Sequence, residues 1–178
     1  MRIAIVCCSL NPDSRSSGMA EHLRRPLAEA GVEVDWLDLR EHNLPLCNGS
    51  TVYGNPTVRE VHRRIEAADA AIMVLPIYNY DGNAAAKNLI ELTGSSWQHK
   101  IVGFVCSAGG RGSYMSVMSL ANSLMLDFRC VIVPRFVYAD DSDFDEHGPD
   151  PTVVDRLGDL ARETVRMSNA LSDMPTLS

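Results

Sequence analysis

Apolar positions along this chain follow two alternating rhythms. Five runs of strand length recur: "IAIVCCS" at 3–9, "VEVDWLDL" at 32–39, "AAIMVLP" at 70–76, "IVGFVCS" at 101–107 and "CVIVPRFV" at 130–137. Four are close to continuously apolar, the pattern of strands covered on both faces. The run at 32–39 alternates instead, with Val32, Val34, Trp36 and Asp38 pointing one way, which suits the edge of a sheet. Between the runs the period lengthens to that of a helix. Residues 17–30 place Met19, Leu23, Leu27 and Ala30 on one face, and Pro26 predicts a kink there. Residues 57–68 repeat Val58, Val61, Ile65 and Ala68; Asn83 is a candidate cap for a third helix with Ala85, Leu89 and Leu92 inward. A fourth helix is expected over 114–128. A fifth follows Pro151, with Val154, Leu157, Leu160 and Ala161 inward.

Strands that alternate with helices predict an α/β fold, a five-stranded parallel sheet in the order 2-1-3-4-5 between two layers of helices. No repeat and no linker interrupts residues 1–178, which read as a single domain. Residues 40–56 are expected to form a loop, and the tail "SDMPTLS" to fray. The fourth helix carries two apolar stripes. Val117, Ala121, Leu124 and Phe128 form one; Met115, Met118 and Met125 form another. The second either fills the monomer core or faces another subunit, which would make the protein a homodimer or homotetramer.

Composition narrows the function classes. The chain has 178 residues, 46% hydrophobic and 22% charged, enough for a true core. Its net charge of −7 and the lack of a basic stripe argue against nucleic acid and anionic membranes as partners. No apolar run approaches the roughly 20 residues of a membrane span. The start "MRIAIVCCSL" has the look of a short signal sequence, yet no small-residue cleavage site follows and turn residues begin at Asn11, so a buried strand is expected. The five cysteines include no C-x-x-C and sit mostly in apolar runs, which points to buried thiols and a cytoplasmic, reducing location. No metal site is expected; the alternating acids of "DDSDFDEHGPD" lack the calcium-loop pattern and read as a solvated loop.

In an open parallel sheet, ligands bind beyond the carboxyl ends of the central strands. Three loops leave those ends. "SLNPDSRSS" offers hydroxyls at Ser9, Ser14, Ser16 and Ser17, a cation at Arg15 and the amino end of a helix, a natural place for a phosphate. It matches neither G-x-x-x-x-G-K-[ST] nor G-x-G-x-x-G. "PIYNYDGNAAAKN" sets Tyr78, Asn79 and Tyr80 and an Asp-Gly turn before a run of alanines. "SAGGRGS" lets bare backbone approach a ligand. Each loop alone is compatible with an ordinary polar turn. Together they describe a site for a phosphorylated, planar, hydrogen-bonding ring.

These residues resemble the NADPH-dependent FMN reductase family of flavodoxin-like proteins. The family pattern G-S-L-R-x-x-S is similar to "CSLNPDSRSS", P-E-Y-N-Y-G-x-P-G-x-L-K-N-x-I-D to "PIYNYDGNAAAKNLIE", S-x-G-G-x-G-G to "SAGGRGS", and F-D-x-x-G to "FDEHG". The chain departs from it at Cys8, at Ile77 in place of Glu, and at Asn83-Ala84-Ala85. The resemblance implies a flavodoxin-like three-layer sandwich holding FMN without a covalent bond. It implies that Ser9, Asn11, Arg15, Ser16 and Ser17 bind the phosphate. Pro76, Ile77, Tyr78, Asn79 and Tyr80 would lie along the ring, and Ser107, Ala108, Gly109, Gly110 and Gly112 would flank its other edge. The implied activity is hydride transfer from NAD(P)H, as co-substrate, through FMN to a flavin, quinone or related acceptor, with no protein acid or base in the chemistry. An FMN-binding electron carrier or interaction protein without NAD(P)H turnover is the alternative; a receiver-like regulator would need an acidic cluster where Cys7, Cys8 and Ser9 stand.

Overall fold

A computed structural model describes residues 1–172. The expectation of a frayed tail lies, apart from Ser172, outside the described residues. Strands β1 (Arg2–Cys7), β2 (Glu33–Asp38), β3 (Ala70–Tyr78) and β5 (Ile101–Ser107) form the parallel core of one sheet in the order β2-β1-β3-β5. The place beyond β5 is taken by two short pieces, β6 (Val131–Ile132) and β7 (Val137–Ala139), both parallel to β5. The spatial order is thus the expected 2-1-3-4-5, with the fifth strand broken. The break has a local cause. Pro134 lacks an amide hydrogen for the ladder, and Arg135 adopts a left-handed φ of 58°.

Helices α1 (Arg15–Glu29) and α5 (Pro151–Ser172) cover one face; α2 (Pro56–Glu66), α3 (Ala84–Thr93) and α4 (Met118–Phe128) cover the other. Successive residues of β1 feed opposite cores, so Cys7 packs under α1 while Cys8 packs under α3. β2 is an edge strand, and its buried Asp35 is held by Arg64 at 2.6 Å and Arg2 at 3.2 Å.

Helix ends follow local chemistry. Ser14 caps α1, which begins two residues earlier than its apolar period suggested. α1 continues past Pro26 to Glu29, because the proline falls in the last turn and Gly31 then closes the helix at φ 71°. Asn55 caps α2 ahead of Pro56. The buried Lys100 ammonium donates to the Glu66 and Ala68 carbonyls at 3.1 and 2.6 Å, closing the end of α2. The segment expected to open the fourth helix at Tyr114 is instead a 3₁₀ turn over Arg111–Val117, and regular α-helix starts at Met118. Its Met115, Met118 and Met125 are exposed, so they do not fill the core.

Candidate functional site

The loops after β1, β3 and β5 converge at the carboxyl end of the sheet, as the topology requires. They enclose a cleft of about 280 Å³ lined by Asn11, Arg15, Pro76, Ile77, Tyr78, Ser107, Ala108 and Gly109, and also by Asp13, Ser14 and Asp141.

The first loop is ordered by its own side chains. Ser9 Oγ accepts from the Asn11 amide at 3.3 Å, Asn11 Oδ1 from the Asp13 amide at 3.1 Å, and Ser14 Oγ lies 2.7 Å from Ser16 Oγ. Ser9 and Ser16 are buried behind the cleft wall. Ser17 Oγ is buried without a partner. The first-turn N–H groups of α1 have no acceptor within the helix apart from the Ser14 cap. Arg15, exposed, pairs with Asp141 across the cleft mouth and lies 5.3 Å from the Phe144 ring.

Beneath this loop runs a brace that reasoning from the sequence missed. Asp38, buried at the end of β2, receives the Arg40 guanidinium at 2.5–3.0 Å, and Arg40 Nη1 donates to the Pro12 carbonyl at 3.1 Å. Burial pushes the Asp38 carboxyl up, but the hydrogen bonds and charge of Arg40 outweigh it and hold the group below its ordinary value. Burial in turn pushes the neighbouring Cys7 thiol up to about 12, with the Asp38 charge adding to the effect, so this thiol is inert.

The second loop is a hairpin. Tyr78 pairs with Asp81 and Ile77 with Gly82, making a two-residue strand β4 (Asp81–Gly82) antiparallel to β3. The turn is Asn79-Tyr80, both left-handed at φ 51° and 64°; the expected Asp-Gly turn is the returning strand. Gly82 packs closely: a Cβ there would sit 2.6 Å from Leu120 Cδ1, so a larger residue would force the buried Leu120 side chain to shift. Tyr80 lies at the exposed tip and reaches back to Gly112, whose Cβ position is 3.4 Å from the Tyr80 hydroxyl. Asn83 occupies the cap position of α3 but does not cap it. Its buried Nδ2 donates to the Cys8 carbonyl at 2.8 Å, tying the hairpin to the first loop, and its Oδ1 has no partner.

In the third loop, Tyr138 donates to the Gly110 carbonyl and meets Ser113 Oγ at 2.8 Å, while Arg111 pairs with Asp140 at 2.9 Å. Hydrogen bonds from the Ser142 hydroxyl and amide, with Arg111, hold the Asp140 carboxyl low. Gly109 and Gly110 face open space. Among the described residues, no cluster of three or more His, Cys, Asp or Glu is placed to hold a metal ion, and no helix is long and apolar enough to cross a membrane.

The model of the NADPH-dependent FMN reductase family matches residues 1–145, four-fifths of the chain and all three loops. The chain belongs to that family. It is an oxidoreductase, and FMN and NAD(P)H are the molecules of its chemistry. It is 29% identical over 140 residues to an NAD(P)H-dependent FAD/FMN reductase of Geobacillus thermodenitrificans, with 76% of each chain covered. It is 27% identical over 145 residues to an NAD(P)H:quinone oxidoreductase of Solanum tuberosum, covering 76% of this chain and 74% of that one. The solved structure of the flavoenzyme NAD(P)H:(acceptor) oxidoreductase FerB of Paracoccus denitrificans superposes with a TM-score of 0.77 at 19% identity, over 95% and 97% of the two chains, and shares the fold.

The site fits FMN. The free first-turn amides, the unpartnered Ser17 hydroxyl and the positive end of α1 suit a phosphate. The open backbone at Gly109 and Gly110 leaves room for a flat ring. Asp13 and Asp141 also stand on the rim, so the place for an anion is the Ser14–Ser17 turn with its free amides and hydroxyls. Spacing rules gave no sign of Asp141, whose partner Arg15 stands far along the chain, or of the Asp38–Arg40 brace, whose contact with Pro12 lies in another loop; Ser14 was legible as a helix cap.

Proposed function

We propose that this chain carries hydride from NAD(P)H, through FMN held in the cleft, to a flavin, quinone or related acceptor. The observation that carries this reading is the meeting of all three loops in one cleft at the end of the sheet. Ser9, Asn11, Arg15, Ser16 and Ser17 form the phosphate end. Pro76, Ile77 and Tyr78 line the long wall, which Asn79 and Tyr80 would extend outward, and Ser107, Ala108 and Gly109 line the facing edge, which Gly110 and Gly112 would extend. FMN, when bound, supplies the capacity to take up a hydride and hand on two electrons. The protein orients, and no side chain is assigned proton transfer. Arg15 is positioned to exchange Asp141 for a phosphate. The quinone oxidoreductase among the relatives supports the acceptor class.

Residues 1–178 act as one domain, and the exposed methionines of α4 support a homodimer or homotetramer. Five free cysteines fit a reducing, cytoplasmic setting. The test is to purify the protein, identify the released chromophore by mass, and add NADPH without oxygen. Loss of the yellow colour, restored by a quinone, is expected. A flavin that neither NADPH nor NADH bleaches would leave an electron carrier instead.

A further inference from the structure

We propose that a groove beside the broken edge strand binds the adenosine end of NADPH, with Arg135 and Arg156 receiving its 2′-phosphate. This rests on the reductase reading above and adds residues to it. The groove, about 500 Å³, lies between the β6–β7 connection and α5. Arg135, Arg156, Arg162 and Arg166 line it, with Asp159 and Glu163 as the only acids among its lining residues. Arg162 is paired to Asp159 at 2.7 Å and Arg166 to Glu163 at 2.5 Å. Arg135 and Arg156 have no partner among the described residues. Two free guanidiniums therefore face one groove in a chain of net charge −7. Their planar forks suit a phosphate dianion.

Two further observations point to a nucleotide rather than a bare anion. The groove wall holds Tyr114 stacked on Phe136, ring centroids 4.8 Å apart, with Tyr114 44% exposed. An exposed flat ring beside two cations matches a purine nucleoside carrying a phosphate. The groove wall also packs against the third loop of the cleft. Tyr114 packs edge-on against Tyr138 at 5.4 Å, and Tyr138 holds the Gly110 carbonyl in the third loop. Arg135 precedes the end of β7 by four residues, at most about 13 Å along the chain. A dinucleotide lying along this edge can place its phosphate at Arg135 and its nicotinamide at the glycines.

The experiment titrates FMN-loaded protein with 2′,5′-ADP and with 5′-AMP by calorimetry. It also measures KM and kcat with NADPH and NADH for the wild type, for R135A/R156A and for R135K/R156K. In the wild type, 2′,5′-ADP is expected to bind about tenfold more tightly than 5′-AMP, through charge-assisted bonds to the extra phosphate. The alanine pair should erase that difference and raise KM for NADPH about tenfold, with kcat, FMN content and KM for NADH retained. The lysine pair should recover part of it. Equal binding of the two nucleotides by the wild type, or an unchanged KM for NADPH in the alanine pair, would overturn the inference. Tight 2′,5′-ADP binding through these arginines, with a flavin that NADPH does not bleach, would uphold it and remove the reductase reading.

Discussion

At the scale of single residues, the loop assigned to phosphate is stiffened from below by Arg40. The guanidinium spends four of its contacts on two fixed points, the Asp38 carboxylate and the Pro12 carbonyl. Arg40 lines no part of the cleft, so it acts through the loop. Arg40→Ala is expected to weaken FMN binding about tenfold, the worth of one well-formed charged hydrogen bond, with the fold retained. A fluorescence titration of flavin, set beside a circular dichroism spectrum, separates loss of positioning from unfolding. Acid acts on the same brace. The Asp38 carboxyl sits below its ordinary value of 3.8 in the folded protein, so the unfolded chain binds its proton first as pH falls. Its contribution is whole above about pH 3.8 and is lost as pH drops through the lower folded value. Asp38→Asn should therefore flatten that stretch of the urea midpoint against pH. An unaltered profile would show that other carboxylates govern the acid limb.

At the scale of elements, the hairpin after β3 carries the cost of the site. Type I′ turns need two left-handed residues, and Asn tolerates this where Tyr does not. Tyr80 is kept in that state at the exposed tip, against Gly112 of the facing loop. Tyr80→Gly is expected to stabilise the protein by about 1 kcal/mol while weakening flavin binding, because strain leaves together with the contact. Thermal melts of the FMN-free protein and flavin titrations must move in opposite directions; a destabilised variant would mean that the tyrosine packs more than it strains. The same element explains what a sequence can disclose. Near-continuous apolar runs announced β1, β3 and β5, and an alternating run announced the edge strand β2, since burial on two faces or one leaves a direct imprint. Asp81-Gly82 suggested the turn, and a rule that expects glycine at left-handed positions points there. The chain breaks that rule at Asn79 and Tyr80, so the turn lies two residues earlier. Arg15–Asp141 was invisible for another reason: its partners stand 126 residues apart, and pairing between loops obeys no period.

At the scale of the molecule, the two helical layers present different outer surfaces. The α1–α5 layer is laced with helical ion pairs, Glu21–Arg24, Glu29–Arg25, Asp159–Arg162 and Glu163–Arg166, which suit water. The opposite layer leaves Met115, Met118, Met125 and Leu126 exposed, at 61, 40, 39 and 77%. Scattered exposed apolar residues are ordinary, but four on one helix and its leading turn form a patch. Beside it, a hollow of about 1010 Å³ between α2, α3 and α4 is lined by Val58, Ile90 and Leu126. A second copy meeting this layer would bury the patch and leave the cleft at the strand ends free to exchange substrates. If this layer is the subunit interface, as proposed above, the wild type sediments as a larger species and Met118→Asp with Leu126→Asp is expected to sediment as a 19.5 kDa monomer, with its helical spectrum intact. The charges cannot act through the core, because both side chains already face solvent. A wild type that sediments as the monomer would remove the subunit interface and leave the methionine stripe unexplained.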